Sequence, residues 1–197
     1  MPTHVPHDFD PLKQLLESIS PISDAAWLDI SGCFTEQSLA ENSHLIQVGE
    51  HARDIAFVTE GVLREYFITE EGKEFNKAFV GAGTLTGSLY DLLSGLPSTA
   101  SIQALTPVRM YRAPFQSFRA LFDIHPCCER FGRLFAERLF IKKAKREYEL
   151  MCLDATARYR LLLQQFPELE NLVAQYHIAS YLGITPVALS RIRKELR

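Results

Sequence analysis

The chain has 197 residues, of which 47% are hydrophobic and 23% charged, with 10 Gly and 10 Pro. That length and mixture suit one or two folded domains and exclude extended disorder, collagen-like repeats and a coiled coil alone. The net charge of −3 hides a division: residues 1–125 hold 8 Lys+Arg against 16 Asp+Glu, and residues 126–197 hold 13 against 8. The basic second part is therefore the candidate for a nucleic-acid partner.

In chain order, Met1-Pro2-Thr3-His4-Val5-Pro6-His7-Asp8 carries neither the basic start nor the apolar core of a signal peptide. No later run approaches the roughly 18 apolar residues of a membrane span, so no membrane partner is expected. Residues 9–31 read as two short helices, with Leu12, Leu15, Leu16 and Ile19 at helical spacing and Pro21 as the break. From about residue 38 to 114 the pattern changes. Eight of the ten glycines fall between Gly32 and Gly95 and punctuate short apolar stretches: residues 55–58, 62–68, 75–80, 101–105 and 108–111. Short strands at such spacing, with Glu70-Glu71-Gly72-Lys73 as a hairpin turn, predict an all-β barrel or sandwich.

Past Pro114 helical spacing returns. Phe115, Phe118, Leu121 and Phe122 predict a short amphipathic helix before Pro126. Residues 127–153 contain no Pro and one Gly, which allows a single helix of about 40 Å. Cys127, Leu134, Ile141, Tyr148 and Ala155 recur every seven residues, with Phe131, Phe135, Ala144 and Met151 beside them. Such a stripe is either the seam of a helix pair between two subunits, which is the preferred reading, or a face packed on the chain's own barrel. Phe131, Leu134, Ile141 and Tyr148 are the residues assigned to that seam.

Asp154-Ala155-Thr156-Ala157 reads as a hinge into a helix over residues 158–165, ended by Phe166-Pro167-Glu168-Leu169. The most informative segment follows it. Ile178 and Leu182, one helical turn apart, give a short helix its buried face, and Ala179 permits close crossing by a second helix. Gly183 suits the positive φ of a tight turn. Thr185 is an N-cap and Pro186 the favoured first helical residue. Leu189 and Ile192 then face Ile178, Leu182 and Ile184. This is a helix-turn-helix. Its outward face offers Val187, Ala188, Ser190, Arg191, Lys194 and Arg197, small residues first and Arg after, as insertion into a major groove requires. Arg191 is expected to read a base edge, with guanine its natural partner. Thr185, Arg193 and Lys194 are expected to touch phosphates, and Pro186 lies at the same edge.

The order of barrel, long helix, hinge and helix-turn-helix resembles the Crp/Fnr superfamily of bacterial transcription regulators from about residue 15 onward. Gly49 and Gly61 resemble the paired turn glycines of its cyclic-nucleotide-binding barrel. Leu153-Asp154-Ala155-Thr156-Ala157-Arg158 resembles its hinge, and Ala179-Ser180-Tyr181-Leu182-Gly183-Ile184-Thr185 with Leu189-Ser190-Arg191 its DNA-reading motif. The resemblance implies an α+β chain in three parts: a double-stranded β-helix (jelly-roll, cyclic-nucleotide-binding-like) domain over residues 1–125, a long dimerisation helix and hinge over 126–154, and a helix-turn-helix domain over 155–197. It further implies a homodimer on double-stranded DNA in the cytoplasm, with RNA polymerase and a small-molecule effector as further candidate partners.

At the phosphate-binding cassette the chain departs from the pattern. Cyclic-nucleotide binders of the superfamily carry Gly-Glu-Leu and, about ten residues later, Arg-Ser/Thr-Ala. Here the matching residues are Gly87-Ser88-Leu89 and Ser98-Thr99-Ala100. The acceptor for the ribose hydroxyl and the cation for the phosphate are both replaced by Ser, and the nearest basic residues in sequence, Lys77 and Arg109, are not at the cassette. An anion buried without a partner is costly, so cyclic AMP is not expected to bind and no cofactor is expected. A neutral ligand among Ser88, Ser98 and Thr99, with Tyr66, Phe79 and Tyr90 as walls, is one expectation; an empty, side-chain-filled barrel is the other. Lys143 and Ala144 stand where the nucleotide sensors carry base-contacting hydroxyls.

Four cysteines, Cys33, Cys127, Cys128 and Cys152, form no CxxC. Neither a zinc site nor a disulfide framework is expected, and Cys33 alone does not supply the N-terminal cluster of the iron–sulfur sensors. Cys127 and Cys128 read first as packing residues. The six histidines, His4, His7, His44, His51, His125 and His177, lack a cupin's His-x-His arrangement, and no nucleophile elbow or phosphate loop is present, so catalysis is not expected. The competing function is a ligand-binding β-roll whose C-terminal helices contact protein instead of DNA. The two readings differ in what Arg191, Arg193, Lys194 and Arg197 face and in salt dependence.

Overall fold

The computed structural model describes residues 9–196. Residues 1–8, where no leader is expected and where His4 and His7 stand, and Arg197 of the outward helix face lie outside the described residues.

Helix α1 (Asp10–Glu17) begins with Pro in its first turn and buries Leu12 and Leu16, four residues apart. Helix α2 (Asp24–Cys33) is capped by the Ser23 hydroxyl, which accepts from the Ala26 amide at 3.3 Å. Eight strands follow: β1 (Thr35–Leu39), β2 (His44–Ile46), β3 (Asp54–Glu60), β4 (Leu63–Ile68), β5 (Glu74–Val80), β6 (Thr84–Thr86), β7 (Ser101–Ala104) and β8 (Val108–Pro114), with the short helix α3 (Leu89–Ser94) between β6 and β7. They form two four-stranded antiparallel sheets, ordered β1-β8-β3-β6 and β2-β7-β4-β5. Ala56, Val58, Leu63, Ile102, Ala104, Val108 and Met110 fill the space between them. The sequence reading located β3, β4, β5, β7 and β8 but not β1, β2 or β6. β2 and β6 have three residues each, and β1 presents mostly polar, exposed side chains, so neither length nor alternation marks them.

Gly49 and Gly61, the expected turn glycines, both hold positive φ, 88° and 86°. At Gly61 a side chain is doubly excluded, because a Cβ would lie 2.2 Å from the Pro107 carbonyl oxygen.

Helix α4 (Phe115–Ile124) and the long helix α5 (Pro126–Cys152) close the roll from outside. Phe118, Leu121, Cys128 and Phe131 pack with Leu12, Leu16, Ile30 and Phe57 in one core. Four helices follow among the described residues: α6 (Ala155–Gln165), α7 (Leu169–Leu172), α8 (Gln175–Leu182) and α9 (Pro186–Glu195). The Asp154 side chain caps α6 at the Ala157 amide, 2.8 Å away, so that helix starts three residues earlier than the sequence reading placed it. No helix among the described residues is long and apolar enough to cross a membrane.

Candidate nucleic-acid interface and the roll cleft

The helix-turn-helix forms from the local signals in the sequence. Gly183 takes φ 69°, and the Ile184 amide turns back to the Ala179 carbonyl at 3.0 Å, closing the end of α8. The Thr185 hydroxyl accepts from the Ala188 amide at 3.2 Å and starts α9, with Pro186 in the first turn. Ile178, Ala179, Leu182 and Leu189 are fully buried and Ile192 nearly so, in one core with Tyr159, Leu162 and Leu169. The opposite face of α9 is open: Thr185, Pro186, Val187, Ser190, Arg191 and Lys194 are exposed and Ala188 is half-buried.

Arg193 departs from the expectation. Its Nε lies 2.7 Å from Glu170 Oε1 and 3.3 Å from the Tyr159 hydroxyl, and a second guanidinium nitrogen also pairs with Glu170. The Tyr159 hydroxyl donates to the same carboxylate at 2.7 Å. Arg193 thus fastens α9 to α6 and α7 instead of projecting with Arg191. A partner 23 residues away on a four-residue helix leaves no periodic trace in sequence.

Guanidinium groups also hold the C-terminal end of α8. Arg146 of α5 stacks on the Tyr181 ring at 3.8 Å and donates to the Tyr181 carbonyl, and Arg158 Nε donates to the Leu182 carbonyl at 3.1 Å. These carbonyls have no intrahelical partner, and cations at a helix C-terminus are favoured there.

The seven-residue stripe of α5 divides in two. Phe131, assigned to the seam, is 2% exposed and packs on Phe118 and Phe135 of its own chain. Leu134 is half-buried. Beyond it Phe140, Ile141, Tyr148 and Met151 are 58–77% exposed, and Ala144 is exposed with them. The packed-face reading of the stripe therefore holds for its first half, and the second half leaves its apolar side chains exposed.

In the roll, a cleft of about 370 Å³ is lined by Leu45, Ile46, Glu50, His51, Ala52, Arg53, Asp54, Gly87, Ser88, Ile102 and Arg112. Of the six cassette residues only Gly87 and Ser88 are among its walls; Leu89, Ser98, Thr99 and Ala100 are not. Ser88 and Ser98 both turn onto one buried carboxylate, which sequence reasoning missed. The Ser88 hydroxyl donates to Asp91 Oδ2, and Ser98 Oγ lies 2.5 Å from the same oxygen and 2.8 Å from the Ala100 carbonyl. Asp91 is 1% exposed, and its Oδ1 is without a hydrogen-bond partner.

Two arginines more distant in sequence, Arg53 and Arg112, line this cleft, while Lys77 and Arg109, the nearest in sequence, do not. Arg112 is held by Asp54 at 2.5 Å and by Gln37 at 3.0 Å, while Arg53 is exposed. Lys77 instead pairs with Glu65, and Arg109 with Glu36 and Glu60. The suggested apolar walls also lie elsewhere. Tyr66 is bonded to His44 at 3.0 Å, Phe79 packs on Tyr181, and Tyr90 is 63% exposed. Lys143 and Ala144 are not part of the cleft.

Cys128 is 1% exposed in the helical core, and burial, with the neighbouring Cys127, pushes its thiol up to about 12, the state of an unreactive packing residue. All four cysteines are free. No group of three or more His, Cys, Asp or Glu among the described residues is placed to hold a metal ion.

Residues 36–125 match the family described as Cyclic nucleotide-binding domain. Over 94% of its length the chain is 24% identical to the fumarate and nitrate reduction regulatory protein of Yersinia pestis, covering 71% of that protein. Over 59% of its length it is 28% identical to the cAMP-activated global transcriptional regulator CRP of Salmonella typhimurium, of which it spans 55%. The solved structure of FixK2 from Bradyrhizobium japonicum superposes with a TM-score of 0.72 over 83% of this chain and 84% of that one, at 20% identity.

Proposed function

We propose that this chain is a transcription regulator of the Crp/Fnr type that reads inverted-repeat DNA as a homodimer, without cyclic AMP as its effector. The observation that carries the DNA reading is the open face of α9. Val187, Ser190, Arg191 and Lys194 stand clear of the protein, while Leu189 and Ile192 on the other side fix the helix. An Arg here pairs with guanine in a major groove, and Lys194 meets phosphate.

The dimer reading rests on the exposed Phe140, Ile141, Tyr148 and Met151. An apolar row on the solvent side of a long helix is covered most simply by its own two-fold copy. Two recognition helices then face half-sites about 34 Å apart.

The effector reading rests on Asp91. A cyclic nucleotide brings an anionic phosphate to the cassette, and here a buried carboxylate already takes both serine hydroxyls that stand in for the family's Glu and Arg. Arg112, one of two arginines on the cleft wall, is neutralised by Asp54. A ligand suited to this cleft is neutral or zwitterionic, because its walls carry Glu50 and Asp54 beside Arg53 and Arg112.

The test is selection of genomic fragments by the purified protein, followed by titration of the selected sequence. An inverted repeat with steep salt dependence supports the reading; fragments with no shared sequence contradict it.

A further inference from the structure

We infer that Arg64, Asn76 and His177 are positioning residues for DNA reading: they latch the helix-turn-helix to the β-roll of the same chain and so fix the half-site spacing the dimer accepts. The inference rests on the DNA-reading dimer proposed above.

In such a dimer the covalent link from α5 to the DNA-reading module is Leu153 and Asp154, between the end of α5 and the start of α6. Two residues alone permit many orientations, so the separation of two recognition helices depends on what else holds each module. Here α8 is laid against β5, one of the two edge strands of its sheet. An exposed edge offers unpaired backbone groups, and α8 answers them. The Asn76 amide donates to Ser180 Oγ at 2.9 Å, and Ser180 Oγ in turn reaches the Glu74 carbonyl at 3.4 Å. The Asn76 side chain donates to the His177 carbonyl at 2.8 Å.

Beneath this lies a buried cation. Arg64 is 5% exposed, and its guanidinium meets Gln103 Oε1 at 2.8 and 2.6 Å, Glu74 at 2.6 Å, Asn76 Oδ1 at 3.2 Å and His177 Nδ1 at 3.3 Å. Its flat face lies on Tyr66, 3.9 Å from the ring centre. His177 Nδ1 faces donors from both Arg64 and Asn76, so it is an acceptor and the ring is neutral. Phe79 seals the flank against Tyr181 and Phe166, at 5.2 and 6.3 Å between ring centres.

Arg64 stays paired with Glu74 and Gln103 of the roll and adds one contact to α8 at His177 Nδ1, while Asn76 adds directed bonds to His177 and Ser180; another docking angle breaks these and leaves buried polar groups unpaired. That is the property of a fixture and not of a greasy contact that can slide. The latch uses α8 and leaves α9 uncovered, with Val187 63% exposed and Arg191 and Lys194 exposed. Docking therefore aims the reading face instead of hiding it.

The experiment measures binding of the full chain to the selected inverted repeat with its central spacer lengthened or shortened by one and two base pairs. The wild type should favour one spacing, each wrong spacing costing about tenfold or more, because a rigid pair cannot engage both half-sites. Arg64→Met and the milder Ser180→Ala should weaken the best spacing and reduce its preference over the others to within about twofold. Binding to a single half-site should stay unchanged. If Arg64→Met fails to fold, Ser180→Ala and His177→Leu carry the same test. Unchanged spacing preference in the folded variants would overturn the latch. Tighter binding by the variants at every spacing would also overturn it, since docking would then be inhibitory. A wild type with no sequence preference fails the DNA reading itself, a result distinct from both.

Discussion

At the roll cassette, Ser88 and Ser98 turn inward onto Asp91, whereas at α9 Ser190, Arg191 and Lys194 turn outward to solvent. Both regions match, by resemblance, binding sites of the Crp/Fnr pattern, and both use small and polar residues. The difference is where the hydrogen bonds end. A polar group already satisfied inside the protein contributes little to a ligand, and one satisfied only by water is available to it. On the proposed reading, α9 is the end left open to DNA and the cassette is the end occupied from within by Asp91.

The largest expected effect lies at the seam proposed to bring two reading faces together. Ile141→Asp places a charge and its symmetry mate in an apolar interface. Sedimentation at micromolar concentration should show a dimer for the wild type and a monomer for the variant, with operator binding lost in parallel. A variant that stays dimeric moves the interface elsewhere on the molecule. Next comes the reading face itself. Arg191→Ala should cost about 1–3 kcal/mol in operator affinity and relax the preference at one base pair, read by anisotropy against single-base operator variants.

Arg193→Ala sharpens the contrast between outward and inward groups on the same helix. Since Arg193 is tied to Glu170, its loss should lower the melting temperature of the C-terminal domain by a few degrees, with at most a small and sequence-independent loss of DNA affinity. A loss of base preference equal to that of Arg191→Ala would return Arg193 to the reading face.

The smallest effect is in pH. Burial first, and then the Arg64 charge, lower the His177 imidazole to about 4, with Glu74 opposing; Arg64 of β4, Glu74 and Asn76 of β5 and the adjoining Tyr176 ring surround it. A released His177 takes up its proton near the ordinary value of about 6.5. Docking is therefore at full strength above about pH 6.5 and weakens as pH falls toward 4. Protease susceptibility of the hinge should rise over that window in the wild type, and the rise should be smaller in His177→Leu.

The contrast also explains what the sequence made legible. The helix-turn-helix was readable because its determinants are local: Gly183, the Thr185 cap, Pro186 and apolar pairs three or four residues apart act within one or two turns. The exposed half of α5 was readable for the same reason, since Ile141, Ala144, Tyr148 and Met151 follow one stripe. That Phe131 of the same stripe belongs to the roll depends on Phe118 and Phe57, which only the fold brings near. The cassette showed two missing charges but not the carboxylate that takes their place, because Asp91 reads as an ordinary polar residue of a short helix. Arg112 of β8 reaches the cleft beside Asp54 of β3, 58 residues away in sequence, and Arg64 meets His177 across 113 residues. Convergence of that kind leaves no period in the chain.

The most direct measurement is an anisotropy titration of the selected operator, run with and without saturating cyclic AMP. The account predicts saturable binding that prefers the operator over a scrambled duplex, weakens steeply with salt, and is unmoved by the nucleotide. Equal binding to both duplexes, or an affinity that rises when cyclic AMP is added, would contradict it.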